Sequence, residues 1–306
     1  VPLSPRRREW RAPWPLNPRL TLGPLQHGRG DPLWRHAEDG TFWRACRTPA
    51  GPGTLSMQVE RSAGLVRASA WGEGADWLLD TMPALLGADD DPSGFAPDHP
   101  LLREALRRHP GLRIARAGRV LEALAPAVLE QKVTGIEARR SWRELLYRFG
   151  SPAPGPNPHR LRVPPSATDW TMIPSWEWHR AGVDGKRSRT MIAAARVAPR
   201  LEQTLDLPLG DAHARLCALP GIGPWTAAEV MARAHGDADA VPVGDLHLPG
   251  LVGAALAGRL VDDAGMLELL EPYRGHRYRA ITLILLSGVR VARRAPRFAP
   301  RDYRAI

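Results

Sequence analysis

Between two stretches of helical periodicity the chain reads Leu219-Pro220-Gly221-Ile222-Gly223-Pro224-Trp225-Thr226-Ala227. Gly221 and Gly223 have no Cβ to obstruct a tight reversal, and Pro224 suits the first turn of a new helix. The start of that helix presents unpaired N–H groups and the positive end of a helix dipole, an arrangement suited to an anion. The hairpin thus joins two helical segments, and the surrounding half of the chain is helical in pattern as well. Asp245 follows Trp225 by 20 residues, within Val241-Pro242-Val243-Gly244-Asp245-Leu246-His247. That spacing allows a carboxylate to return beside whatever the hairpin holds.

Periodicity elsewhere fits this pattern. Helical patterns run over 101–109, 120–149, 186–200, 211–219, 225–234, a segment from 246, 264–270 and 277–291. In the 120–149 pattern, Leu121, Leu124, Val128, Leu129 and Val133 read as a core face. Earlier in the chain, β-prone segments at 19–25, 41–47, 54–60 and 65–71 are separated by Gly, Pro and Asp turn signals, and a helical pattern over 75–86 follows. Residues 1–17 read as an extended arm, the acidic 88–94 stretch as a linker, and the Pro-rich 151–165 stretch as a surface loop. The expected architecture is mainly α: a small N-terminal α+β domain over 1–96, then a helical body over 97–306.

Composition narrows the function classes. Hydrophobic residues make up 43%, enough for sizeable cores, and the formal net charge is +10. Lys132 and Lys186 are the only lysines, so arginine supplies nearly all the basic charge. A coding bias accounts for the arginine-to-lysine ratio but not for the sign of the charge, which suits a nucleic-acid partner. Cys46 and Cys217 are too few for a zinc site or a cysteine-ligated iron–sulfur cluster, and they lie in different units. No apolar run reaches the roughly 18 residues of a membrane span, and no signal-peptide pattern opens the sequence. The expectation is a soluble cytoplasmic protein without a membrane partner.

The hairpin string and Asp245 together resemble the helix-hairpin-helix–Gly/Pro–Asp superfamily of DNA glycosylases, and within it the 3-methyladenine DNA glycosylase II family. The resemblance implies a two-lobed helical body, one lobe over about 118–236 and the other combining 97–117 with 237–306, with the active cleft between them. It implies double-stranded DNA carrying a damaged base as the partner, and a monomer. Pro220, Gly221, Ile222, Gly223 and Thr226 would hold the DNA backbone without reading sequence. The carbonyls of Cys217, Leu219 and Ile222 would hold a structural monovalent cation, with no other cofactor required. Asp245 falls where the family carries its catalytic carboxylate, which stabilises the positive charge developing on the sugar or activates water. It also suits a helix N-cap, and the two roles are compatible. Asp237 and Asp239 fit the pattern less well. Strand-cutting branches carry a Schiff-base lysine where this chain has Trp225, so a monofunctional enzyme is expected.

The resemblance also assigns a base pocket: Trp225, Glu229, Gln131, Leu246 and His276. Three of these depart from the family: Glu229 stands where a tyrosine is usual, Leu246 where another aromatic can occur, and His276 near a position that is tryptophan in the best-known members. A more polar pocket would read a base edge by hydrogen bonds. Alkylated purines come first as substrates, then deaminated or oxidised bases. Lys132, after Gln131, is either the wedge that fills the gap left by a flipped base or a solvated surface charge. The rival from another class is a non-catalytic DNA-binding protein. His247 reads as a satisfied structural histidine, and Trp170, Trp176 and Trp178 as a packing cluster. The six arginines over 290–304 would track DNA or form a solvated tail.

Overall fold

The computed structural model describes residues 4–291. Its N-terminal part is a five-stranded antiparallel sheet of β1 (Arg6–Arg11), β2 (Trp34–His36), β3 (Phe42–Thr48), β4 (Gly51–Glu60) and β5 (Leu65–Trp71), in the order β1-β5-β4-β3-β2. Leu55 and Met57 of β4 and Val66, Ala68 and Ala70 of β5 are buried. They share a core with Leu78, Met82 and Leu85 of α2 (Ala75–Leu85), while polar residues of these strands alternate toward solvent. A short helix α1 (Pro18–Leu22) and a 3₁₀ turn precede β2.

The helical body comprises α3 (Pro100–Arg108), α4 (Val120–Leu129), α5 (Gly135–Phe149), α6 (Ala167–Met172), α7 (Ser175–Arg180), α8 (Gly185–Arg196), α9 (Ala198–Glu202), α10 (Leu209–Cys217), α11 (Pro224–Val230), α12 (Leu248–Ala257), α13 (Asp263–Leu270) and α14 (Arg277–Leu286). Every residue of α4 except Glu122 is buried, as expected of a helix apolar all round at the centre of a core. Two apolar clusters organise the body. The larger unites the sheet and α2 with α4, α5 and the helices from α6 to α11. The smaller joins Phe95, α3 and Leu112 to α12, α13 and α14. Asp90, in the acidic 88–94 stretch, is buried against Arg279 of α14 at 2.5 Å, and its carboxylate also accepts the Ile114 N–H. Among the described residues no helix is long and apolar enough to cross a membrane.

Several expectations are corrected. The arm over 1–17 contains β1, an edge strand paired with β5, with Trp10 opposite Val66, Arg8 half-buried against the Leu79 carbonyl, and Arg6, Arg7 and Arg11 exposed. Residues 19–25 are helical rather than extended, because Pro18 opens a turn that buries Leu22 and Leu25 on one side. The helix read over 120–149 is two helices. Thr134 caps α5 in a reciprocal capping box with Glu137, and Lys132 in the intervening break has φ +56°. Residues 151–165 are more than a loop. A two-stranded ladder, β6 (Ser151–Pro152) with β7 (Arg162–Val163), buries Leu161 and Val163 against Ala45 of the sheet. Helices α6 and α7 form where no helix was expected; Trp170 and Trp178 stack there at 5.7 Å, but Trp176 is 68% exposed and stands outside that pair. The last helix ends at Leu286, and the arginine run over 290–304 lies almost wholly outside the described residues.

Candidate active site

The hairpin forms between α10 and α11. Ile222 donates its N–H to the Leu219 carbonyl at 3.0 Å, which closes the reversal, and Gly221 sits at φ +90°. A Cβ at Gly221 would overlap the side chain of Thr190 on α8, so the position needs glycine for space as well as for conformation. Gly223 has open space around it and is exposed, as are Pro220 and Pro224. The turn is therefore open to solvent at the start of α11. The side chains of Ile222 and Thr226 are buried, so at these two positions the backbone faces any anion.

Gln131 ties this hairpin to the break between α4 and α5. Its side-chain amide donates to the Gly221 carbonyl and to Thr226 Oγ1, both at 2.9 Å. The Thr226 hydroxyl, expected on a phosphate, is instead an internal acceptor. Lys132 follows at the tip of the break, exposed and in the left-handed region, a conformation that costs a non-glycine residue about 1 kcal/mol. Interactions around Gln131 hold that strained tip in place.

Asp245 meets the hairpin from the other cluster. Trp225 Nε1–H donates to Asp245 Oδ2 at 3.0 Å, while Oδ1 accepts the backbone N–H groups of His247 at 2.8 Å and Leu248 at 2.9 Å. The carboxylate thus caps α12 and carries three N–H donors, which fix both oxygens. His247, expected as a satisfied structural histidine, is exposed, and Asp245 engages its backbone N–H rather than its ring. Leu246 is 80% exposed and projects away from the core. His276 precedes α14, where its ring lies edge-on to Phe95 at 5.6 Å; burial, followed by the Arg279 charge, lowers its pKa and favours the neutral ring.

Asp237 and Asp239 have other tasks. Asp239 is bound by the Arg277 guanidinium and by the Gly275 and Arg277 N–H groups, which orients the start of α14. Burial raises the Asp237 pKa, and its carboxylate accepts the Asp239 N–H.

A charged network beside Trp225 escaped the sequence reading. Glu229 and Arg233 lie one and two turns beyond Trp225, where α11 continues into a π turn over Met231–His235. Arg233 Nη1 donates to Glu229 Oε2 at 2.5 Å and to the Glu229 carbonyl at 3.1 Å, and its Nε donates to the Pro24 carbonyl at 2.9 Å. Burial opposes the Arg233 charge, but Glu229, Tyr278 and Glu130 outweigh it and raise its pKa. His27 Nδ1 stands 3.5 Å from Glu130 Oε1. Burial also opposes the Glu130 charge, yet the His27 contact and the fields of Arg233 and Arg139 hold its carboxyl below the ordinary range. The i, i+4 spacing of Glu229 and Arg233 was readable in the sequence; the approach of Pro24 and Glu130 was not.

Both cysteines are free, and burial, first among several influences, pushes the Cys46 thiol up. Among the described residues no group of three or more His, Cys, Asp or Glu side chains is placed to hold a metal.

No family model matches the sequence. A curated relative, the probable bifunctional transcriptional activator/DNA repair enzyme AlkA of Mycobacterium tuberculosis, is 32% identical over 233 residues, 71% of this chain and 44% of the relative. The chain thus spans less than half the length of the curated relatives it matches. Among solved structures, the 3-methyladenine DNA-glycosylase of Archaeoglobus fulgidus superposes with a TM-score of 0.76 at 17% identity, over 92% of this chain and 98% of that one. The 8-oxoguanine glycosylase/lyase of Clostridium acetobutylicum, bound to double-stranded DNA, gives 0.72 at 13% identity, over 94% of this chain and 98% of that one. These likenesses extend through the N-terminal sheet as well as the helical body. The hairpin and the aspartate that meets it are thus set in a fold shared with these DNA glycosylases.

Proposed function

We propose that this chain is a monofunctional DNA glycosylase of base excision repair, which draws a damaged base, first of all an alkylated purine, out of the duplex and hydrolyses its N-glycosidic bond. One observation carries this reading: Trp225 holds Asp245 at 3.0 Å, bringing a fixed carboxylate to the open face of a hairpin suited to a DNA phosphate. The DNA repair activity of the curated relative supports it. Extruding the base costs a few kcal/mol, and backbone contacts at Pro220, Gly221, Ile222 and Gly223 position the strand while carrying no sequence information. Lys132, at the strained tip beside the hairpin, would fill the space the base leaves.

As the C1′–N bond breaks, its electron pair leaves with the base and positive charge develops at C1′. Asp245 supplies the opposing charge; water then forms the new C1′–O bond and releases its proton to the carboxylate or to solvent. The donors on Asp245 keep its oxygens oriented during this change. Trp225 occupies the position of a Schiff-base lysine, and Lys186 lies at the start of α8, so release should stop at the abasic site. The carbonyls of Cys217, Leu219 and Ile222 would supply neutral oxygen donors, which suit a monovalent cation better than a divalent one.

The test is base release from methylated duplex DNA by wild type and Asp245→Asn, with the freed bases identified. Release that disappears in the variant, without strand cleavage, is expected. Binding without release from any lesion would leave the chain a DNA-binding module.

A further inference from the structure

We propose that Glu229 and Arg233 together read the hydrogen-bonding edge of guanine, so that the preferred lesion is a modified guanine rather than a modified adenine. The inference rests on the glycosylase reading and deepens it. Trp225, Glu229 and Arg233 recur at every fourth residue along one continuous helical run, which places the pair one and two turns beyond the indole that holds Asp245. Three hydrogen bonds fix the guanidinium: one to Glu229 Oε2, one to the Glu229 carbonyl and one to the Pro24 carbonyl. Among the described residues, Glu229 Oε1 and Arg233 Nη2 have no partner within the protein, and neither is among the sealed, unsatisfied polar atoms. One acceptor and one donor of the ion pair therefore remain without a partner in the protein.

Guanine offers the complement. Its O6 accepts from a guanidinium, and its N1–H and N2–H groups donate to a carboxylate. Adenine in the same pose opposes both groups. Its 6-amino group sets donor against the guanidinium, and its unprotonated N1 sets a lone pair against the carboxylate. Hypoxanthine keeps O6 and N1–H but lacks the 2-amino group, so it ranks between them. The mutual neutralisation of Glu229 and Arg233 also removes the net negative charge that would favour any cationic base regardless of its edge. Trp225 supplies a stacking face for either purine and does not discriminate.

The experiment measures single-turnover base release from duplexes carrying 7-methylguanine, 8-oxoguanine, hypoxanthine or 3-methyladenine. Wild type is expected to release at least one of the two guanine lesions about tenfold or more faster than 3-methyladenine. The 7-methylguanine and 8-oxoguanine arms separate an alkylated from an oxidised source of the same edge. Glu229→Gln should lower release of the guanine lesion and shrink its advantage over 3-methyladenine. Glu229→Tyr, which replaces the carboxylate with a ring, should lower that ratio further. A ratio unchanged in both folded variants, or faster release of 3-methyladenine by wild type, would overturn the edge reader and leave the glycosylase intact. Release of no base at all by wild type would overturn the glycosylase reading and this inference with it.

Discussion

Replacing Trp225 with phenylalanine isolates one hydrogen bond at the site. The substitution removes the indole N–H that lies 3.0 Å from Asp245 Oδ2 and leaves an aromatic face for a base to stack on. Asp245 keeps the His247 and Leu248 N–H groups on Oδ1, so the carboxylate stays at the head of α12 and loses orientation at one oxygen only. A hydrogen bond to a charged group contributes about 1.5–3 kcal/mol, which converts to roughly a tenfold to two-hundredfold loss if it acts fully in the transition state. Single-turnover base release at saturating enzyme should therefore slow within that range. DNA affinity and KM should change by less than about threefold, since neither the hairpin backbone nor the ring face is removed. Trp225→Ala should lose more, and should weaken binding as well. A Trp225→Phe rate within about twofold of wild type, or a loss lying entirely in KM, would refute the view that the indole orients Asp245.

Gly221→Ala forces a Cβ into Thr190 at φ +90° and should cost about 1–3 kcal/mol of stability as well as DNA affinity; adding Thr190→Ala should restore only the part due to overlap, which melting and binding titrations will show. Asp90→Asn leaves Arg279 charged and 1% exposed without its carboxylate, and should cost about 3–5 kcal/mol in denaturant unfolding. A loss below about 1 kcal/mol would mean that this pair does not anchor α14. Burial lowers the pKa of His235, whose Nε2 lies 3.0 Å from Thr204 Oγ1, so folding favours the neutral ring. Its contribution is complete above the ordinary histidine value of 6.5 and falls as pH drops through that value, because the unfolded chain then takes up the proton first. His235→Gln should flatten stability between about pH 7 and pH 5, measured by denaturant midpoints.

The hairpin was legible because its constraints are local. Two glycines and a proline within four residues leave the backbone few alternatives, and Gly221 adopts the positive φ that only glycine accepts freely. The break at Lys132 was also encoded, by the capping box from Thr134 to Glu137, but the apolar spacing from Leu121 to Val133 concealed it. Periodicity records which side of a helix is buried and stays silent where one helix hands over to the next with the apolar spacing unbroken. The β1 strand failed for the opposite reason. Its partner β5 lies more than fifty residues away, and its run of arginines looks like a tail until the pairing is known. That Glu229 lies one helical turn beyond Trp225 followed from their spacing. Its chemistry did not, since Pro24, Glu130 and Tyr278 reach Arg233 only through the tertiary fold.

Those partners tie the N-terminal unit to the helix that carries Glu229 and Arg233. Pro24 accepts from Arg233, and His27 faces Glu130, the residue immediately before Gln131. Behind them the contacts continue inward. Arg44 of β3 pairs with Glu122 of α4 at 2.8 Å, almost fully buried, and Trp142 of α5 donates to Asp31 at 3.1 Å. A sheet joined to the helical lobe by two buried polar links and one apolar cluster cannot shift independently without exposing a charge or opening the core. The loop that carries Pro24 and His27 is thereby held against the second hairpin helix, and with it the orientation of the Arg233 guanidinium. Any selectivity that depends on that guanidinium is set jointly by residues some two hundred positions apart in the sequence, which is why the hairpin motif alone leaves the base unspecified.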